Sequence, residues 1–270
     1  MTRVFAVLGD ARVAKSYSPA MHNAVLAAHG LDAVYVPLMV ETGQVPAAVA
    51  GIRALHLAGV NVTVPHKPAV AACLDELSPQ AARLGAVNTV VPIDGRLVGH
   101  NTDVGGLLWA LGRAGFDPAG RSCLVVGAGG AARAVVLALA EAGARLVVAA
   151  RRAEQAVELA QNLGGTGAGL DLAGEIAAGA ELIVNASAVS DPAEGPELAA
   201  LVAGWRPAAC RLVLDINYGR RDNLWRELAR AQGAAFQDGR PMLAGQAAHS
   251  FRLWTGLNPD PRQFLAALPA

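Results

Sequence analysis

Apolar and polar residues fall in blocks along the chain. Val4 to Leu8 is an unbroken apolar run closed by Gly9-Asp10, the pattern of a buried strand. Ser18-Pro19 then opens a helix over Met21 to His29, with Ser18 as N-cap and Gly30 as the stop. Ala33 to Leu38 predicts a second strand and Val45 to Leu55 a helix. The run Leu57 to Val60 predicts a third strand, which Pro65 keeps from running on. A helix over Pro68 to Leu77 is expected next, and Ser78-Pro79 starts another. Ala86 to Val91 and Arg96 to His100 form two strands about the hairpin signal Asp94-Gly95, and Val104 to Arg113 follows as a helix.

Gly115 to Gly120 has the composition of a linker. Beyond it, Arg121 to Val126 predicts a strand, Ala131 to Ala142 a helix closed by Gly143, and Arg145 to Ala150 a second strand. Glu154 to Leu163 and Asn223 to Gln232 are helical patterns, while Leu182 to Asn185 and Arg211 to Ile216 are strands. A long helix runs over Ala244 to Thr255, and the apolar segment Phe264 to Leu268 is expected to pack back on the first domain. Strands alternating with helices imply parallel βαβ units. The fold class is therefore α/β, with a mostly parallel N-terminal sheet followed by a Rossmann-type, doubly wound domain.

Composition narrows the choice of partners. The 270 residues suit about two domains, and 53% hydrophobic against 16% charged residues allows a large core. The formal net charge is zero, with no basic block for nucleic acid, so specific binding falls to a concave site for a small molecule. The most apolar region, Cys123 to Ala150, is interrupted by Arg133, Glu141 and Arg145, which argues against a membrane span. Three scattered cysteines form neither a disulfide framework nor a CxxC pair, and no signal peptide is read at the N-terminus; both fit a cytoplasmic protein. The six histidines lack ligand spacing, so no metal is expected. The oligomeric state, monomer or homodimer, is not encoded in any pattern here.

Two stretches carry chemistry. Asn61-Val62-Thr63-Val64-Pro65-His66-Lys67 places an amide, a hydroxyl and an ammonium at a strand's carboxyl end, where open α/β sheets hold ligands. Taken alone, it also suits an ordinary polar turn with a solvated lysine. Ser16 and Ser18, with a helix N-terminus behind them, suit a carboxylate. Asp103 suits a helix cap that still presents one carboxylate oxygen to a ligand. Further on, Gly127-Ala128-Gly129-Gly130-Ala131-Ala132 fits G-x-G-x-x-A between a strand and a helix. At the end of the next strand stand Arg151 and Arg152, where an NAD site has a carboxylate. Arginine suits a 2′-phosphate, so the cofactor is read as NADP(H).

With these residues in hand, the chain resembles the shikimate dehydrogenase family over nearly its full length. The motifs are Ser16-x-Ser18-Pro19, Asn61 to Lys67, Ala86-Val87-Asn88-Thr89, Asn101-Thr102-Asp103, Gly127 to Ala132, and Met242-Leu243-x-x-Gln246-Ala247-Ala248-His249. The resemblance implies NADPH-dependent, reversible reduction of 3-dehydroshikimate to shikimate in aromatic amino acid biosynthesis. It implies a substrate domain of residues 1–103 and 239–270 around a nucleotide domain of residues 104–238. It puts Ser16 and Ser18 on the substrate carboxylate, and Thr63, Asn88, Asp103 and Gln246 on ring hydroxyls. Tyr218 would border the substrate, and Lys67 and Asp103 would form the catalytic pair. Gly127, Ala128, Gly129, Gly130, Ala131, Arg151, Arg152, Asn185, Ser187, Gly239 and Met242 would line the cofactor. Without the family, His249 is a structural or surface histidine, Met242 a core residue and Gln246 a solvated helix position.

Some positions depart from the family's common pattern. Ala188 and Val189 follow Asn185-Ala186-Ser187, Pro241 precedes Met242, and Arg220 and Asn223 follow Tyr218. All lie on the expected nicotinamide side. The chemistry itself asks for a proton donor where hydride addition to a ketone leaves an alkoxide, and Lys67 oriented by Asp103 supplies one. A relative acting on quinate, or a non-catalytic NADP-binding sensor, remains compatible with the same residues.

Overall fold

The computed structural model describes residues 1–269. The chain divides into two compact units. The first comprises Met1–Gly106 together with Leu243 onward, and the second Leu107–Met242.

The first unit begins with β1 (Arg3–Gly9), α1 (Ser18–Ala28), β2 (Ala33–Met39), α2 (Val45–Ala54) and β3 (Gly59–Val62). It continues with α3 (Lys67–Ala71), β4 (Glu76–Leu77), α4 (Pro79–Leu84), β5 (Thr89–Ile93), β6 (Arg96–His100) and the start of α5 (Asp103–Arg113). Its six strands lie in the order β2-β1-β3-β5-β6-β4. β1 is parallel to β2 and β3, and β4 to β6, while β5 runs antiparallel to both its neighbours. The alternation of strand and helix yields the parallel part; the Asp94-Gly95 hairpin, with both residues at positive φ, yields the antiparallel part. Val60, Val62, Leu8, Ile52 and Val90 meet in the core beneath this sheet.

Two local expectations change. The helix of α1 starts at Ser18 itself; Tyr17 is the N-cap residue and makes no side-chain capping bond. Ser18 is thus the first helical residue rather than the cap, and its hydroxyl is not spent on the helix end. The helix expected over Pro68 to Leu77 stops at Ala71. Asp75 ends it by bonding elsewhere: its carboxylate accepts the Leu97 N–H at 2.6 Å and an Arg53 guanidinium N–H at 2.7 Å. Glu76 and Leu77 then pair with Val98 and Gly99 as an edge strand.

The second unit contains β7 (Ser122–Val126), α6 (Gly130–Glu141), β8 (Arg145–Ala150), α7 (Ala153–Leu163) and β9 (Thr166–Gly169). It continues with α8 (Ala173–Ala178), β10 (Leu182–Asn185), α9 (Pro196–Ala203), β11 (Leu212–Asp215), α10 (Leu224–Gln232) and β12 (Ala235–Gln237). The sheet is parallel throughout, in the order β12-β11-β10-β7-β8-β9. The order reverses beside β7, which makes the carboxyl end of β7 the topological switch point. Gly115 to Gly120, expected as an interdomain linker, is a turn within this unit, held by a Gly120 N–H to Gly143 carbonyl bond of 2.9 Å.

The chain returns to the first unit through α11 (Arg240–Thr255) and ends its described helices with α12 (Pro261–Ala266). Phe264 is fully buried there, edge-on to His22 and Phe251, which is the packing expected of the terminal apolar segment.

Candidate active site

Two chain turns bring the principal charged groups of the first unit together. After β3, the Thr63 carbonyl accepts the His66 N–H at 3.0 Å, and α3 begins at Lys67 with Pro68 in its first turn. After β6, the Asn101 side chain accepts the Asp103 N–H at 3.1 Å, while its own amide donates to the Ala86 carbonyl. Asn101 therefore serves the start of α5, and the Asp103 carboxylate is released from the capping role its position allows. Lys67 Nζ donates to Asp103 Oδ2 at 2.5 Å. Asn88 Nδ2 donates to Asp103 Oδ1 at 2.8 Å, so both carboxylate oxygens are engaged. The Lys67 and Asp103 side chains keep 16% and 13% of their surface exposed, enough for a ligand to reach the pair and little enough to limit screening by water.

A buried polar layer fixes Asn88 from behind. Its Oδ1 accepts the Thr102 N–H at 2.8 Å and the Thr89 hydroxyl at 2.9 Å, which sets the amide's orientation. Gln246 Oε1, from α11, lies 3.5 Å from Asn88 Nδ2. Ser250 sits one helical turn beyond Gln246 and contacts both Thr89 and Thr102 through its hydroxyl, at 2.8 and 3.1 Å. Asn61 donates to the Asn88 carbonyl, Thr89 and Ser250, and accepts the Tyr35 phenol at 2.8 Å. Tyr35 and Ser250 were not singled out by sequence. The signal for Ser250 is its i, i+4 spacing from Gln246; Tyr35 shows none beyond a polar tip in a buried strand.

Thr63 is half-buried at the end of β3, and Gly9 makes room for it: a Cβ at Gly9 would stand 2.6 Å from Thr63 Cγ2. At the start of α1, Ser16 Oγ accepts the Ser18 N–H at 3.2 Å, and Ser18 is buried beside the Tyr35 phenol. Hydrogen bonds thus join Lys67, Asp103, Asn88 and Gln246 directly; Thr63 follows β3, while Ser16 and Ser18 stand at the start of α1, on the connection that follows the neighbouring β1. His249 is exposed on α11 with its ring edge packed over Gly105 of α5, where a Cβ would stand 2.7 Å from Nε2, in keeping with a structural or surface histidine.

In the second unit, Gly127 follows β7 at φ 116°, and a Cβ there would come within 3 Å of the Ala186 and Ser187 backbone. Both the turn and the close approach require glycine. Gly129 is the N-cap residue of α6, and a Cβ at Gly129 or Gly130 would meet nothing within 4 Å. The amide end of this helix therefore faces open space, which fits a pyrophosphate. Arg151 and Arg152 are exposed at the end of β8, adjacent in the sheet to β7. The residues present fit NADP(H).

Further along the same edge, Asn185 is fully buried. Its amide donates to the Val189 carbonyl and Asp215, and its oxygen accepts the Ser187 N–H and hydroxyl. These bonds tie its side chain to the loop that follows β10 and to the end of β11. Gly239 packs so closely that a Cβ would lie 2.0 Å from the Ile216 carbonyl oxygen, and Met242 is buried. Pro241 occupies the first turn of α11, where its missing N–H breaks no bond. Burial pushes the Cys123 thiol up to about 12 and the Cys210 thiol to about 11, so neither is a nucleophile at neutral pH.

The comparisons with known proteins follow the same division of the chain. Residues 7–90 match the family described as shikimate dehydrogenase substrate binding domain, residues 111–220 the shikimate / quinate 5-dehydrogenase family, and residues 239–268 the shikimate 5'-dehydrogenase C-terminal domain. The shikimate dehydrogenase (NADP(+)) of Moorella thermoacetica is 42% identical over 94% of this chain and 88% of its own. The crystal structure of the Thermus thermophilus shikimate 5-dehydrogenase in complex with NADP(H) and shikimate superposes with a TM-score of 0.88 at 42% identity, covering 98% of both chains. The quinate dehydrogenase of Corynebacterium glutamicum in complex with NAD has the same TM-score at 30% identity, again over 98% of both chains. A relative that similar, over nearly the whole of both chains, together with the three matched segments, establishes that this chain belongs to the shikimate dehydrogenase family.

Proposed function

We propose that this chain catalyses the reversible, NADPH-dependent reduction of 3-dehydroshikimate to shikimate, with Lys67 as proton donor and Asp103 as its orienting partner. The observation that carries this reading is the Lys67–Asp103 pair at 2.5 Å, partly exposed and held by a buried amide layer. A pure binding module has no need of a positioned ammonium; a ketone reduction does, because negative charge develops on the carbonyl oxygen.

NADP(H), when bound, supplies or accepts the hydride. Gly127 to Ala131 and the start of α6 would hold its pyrophosphate, and Arg151 with Arg152 its 2′-phosphate. Lys67 Nζ holds a proton toward the substrate oxygen and stabilises the charge that forms there. Asp103 keeps the ammonium aimed and, in the oxidative direction, supports its return to the charged form. Ser16 and Ser18 would take the substrate carboxylate, and Thr63, Asn88 and Gln246 the ring hydroxyls. Asn88 is suited to that task because Thr102 and Thr89 fix its amide in one orientation. The three free thiols support a reducing compartment, the cytoplasm. Among the described residues no helix is long and apolar enough to cross a membrane.

The test is a steady-state matrix of shikimate and quinate against NADP+ and NAD+. The highest kcat/KM is expected for shikimate with NADP+. Preference for quinate would move the assignment to the quinate branch, and binding without turnover would favour a sensor.

A further inference from the structure

Asp215 ends β11 with no exposed surface, and among the described residues no cation is one of its hydrogen-bond partners. Its Oδ1 accepts from Asn185 Nδ2 at 2.8 Å and from the Asn217 backbone and side-chain amides, each at 3.1 Å. Its Oδ2 accepts from Asn223 Nδ2 at 2.7 Å. Burying a carboxylate is costly unless it is well hydrogen-bonded, and here four amide donors reach it, three on Oδ1 and one on Oδ2. The donors come from three places: the end of β10, the segment after β11, and the N-cap of α10.

What these donors hold is specific. Asn185 organises the loop to Ser190, and Asn217 Nδ2 reaches the Ser187 carbonyl and Ser190 hydroxyl at 2.9 and 3.0 Å. Asn223 caps α10 by accepting the Trp225 and Arg226 N–H groups, and Trp225 Nε1 in turn binds the Val189 carbonyl. Arg220 links the Tyr218 carbonyl to Glu194, whose carboxylate in turn accepts the Ser190 N–H. The loop Ala186–Ser190 and the segment Asn217–Tyr218 are therefore one body, with Asp215 at its centre.

The sheet order says which part of the cofactor this body faces. Adenosine-side Arg151 ends β8, the pyrophosphate turn ends β7, and β10 and β11 follow on the far side of β7. A dinucleotide laid across the switch point from β8 puts its nicotinamide half over β10 and β11. The backbone at Ala186 and Ser187 already abuts Gly127.

We propose that Asp215 is a positioning residue for the nicotinamide half of the cofactor, acting through the two loops it joins. This rests on the assignment of Arg151 and Gly127 to the other half. Asn223 and Arg220 then have a role as part of this support, at positions where the chain departs from its family's common pattern.

The test separates the two halves. In Asp215→Asn, an amide N–H2 faces the Asn223 donor, which cannot flip because its oxygen caps α10. The expected results are a 2′,5′-ADP Kd within twofold of the parent, a changed fluorescence of bound NADPH, and a kcat at least tenfold lower. Asp215→Asn/Asn223→Asp restores a donor facing an acceptor and keeps the cap, so fluorescence and kcat should return to within threefold of the parent. Parent-like fluorescence and kcat in the single variant would overturn the proposal. So would equal losses in 2′,5′-ADP affinity and kcat, or a double variant no better than the single. If Asp215→Asn does not fold, Asn223→Ser keeps the cap and withdraws the donor from Oδ2; the same split is expected, and a parent-like result overturns the proposal. Failure of the parent protein to bind 2′,5′-ADP would refute the Arg151 assignment instead, leaving fluorescence and kcat to decide the role of Asp215.

Discussion

Replacing Asp103 by Asn keeps the shape of the side chain and removes its charge. The carboxylate now accepts from Lys67 Nζ at 2.5 Å and from Asn88 Nδ2 at 2.8 Å. An amide has one oxygen, so one of the two donors must meet an N–H2 group. Asn88 cannot turn to accommodate it, because its oxygen already accepts from Thr102 and Thr89. The loss is one charge-assisted hydrogen bond plus one unmet donor, partly relieved by the water that reaches side chains 16% and 13% exposed. That amounts to about 2–4 kcal/mol, or a fall in Tm of roughly 5–10 °C for a chain of this size. Lys67→Met removes the other partner, and the double variant leaves no unpaired charge. In a thermal or urea double-mutant cycle, the double variant should be less destabilised than the sum of the singles by about 1–3 kcal/mol. Additivity within about 0.5 kcal/mol would refute the idea that the two groups are energetically coupled.

Arg151→Ala should raise the KM for NADPH far more than that for NADH, since only the former carries the 2′-phosphate; equal effects in parallel initial-rate measurements would remove that role. His22 predicts a pH effect on stability. It is buried against Tyr35 at 4.3 Å between ring centres, and burial holds its pKa near 3, below the ordinary 6.5. The unfolded chain therefore takes up this proton first as pH falls: the contribution is complete above about pH 6.5 and is lost toward pH 3, by up to about 1.4 kcal/mol per pH unit. In urea titrations, His22→Phe should lose this slope, and an unchanged slope would contradict the assignment.

Much of the candidate site was legible because its residues terminate strongly patterned elements. The apolar runs before Asn61 and Gly127 mark strands, and polar groups at strand ends stand out against them. Gln246 was recoverable only through the resemblance, since nothing in its neighbourhood distinguishes it from a solvated helix position. Ser18 begins the helix rather than capping it, and the sequence does not separate the two, because a serine before proline satisfies the capping pattern whether it precedes the helix or begins it. The helix expected to reach Leu77 ended early for a tertiary reason, the pull of Arg53 and Leu97 on Asp75, that local propensity does not register. β9 escaped for the opposite cause. Thr166–Gly169 carries no periodic apolar signal, and a Cβ at Gly167 would stand 2.3 Å from the Val157 backbone. It is a strand because it packs, not because its residues prefer one. Asp215 was hidden in the apolar run it closes; its signal is the set of asparagines at 185, 217 and 223 that need an acceptor.

The most direct test of the account is the turnover of purified Lys67→Ala with shikimate at saturating NADP+. The Lys67–Asp103 assignment predicts a kcat lower by roughly 10²–10⁴, the range of general acid–base catalysis, with NADP+ affinity little altered because Lys67 is not assigned to the cofactor. A kcat within threefold of the parent would contradict it.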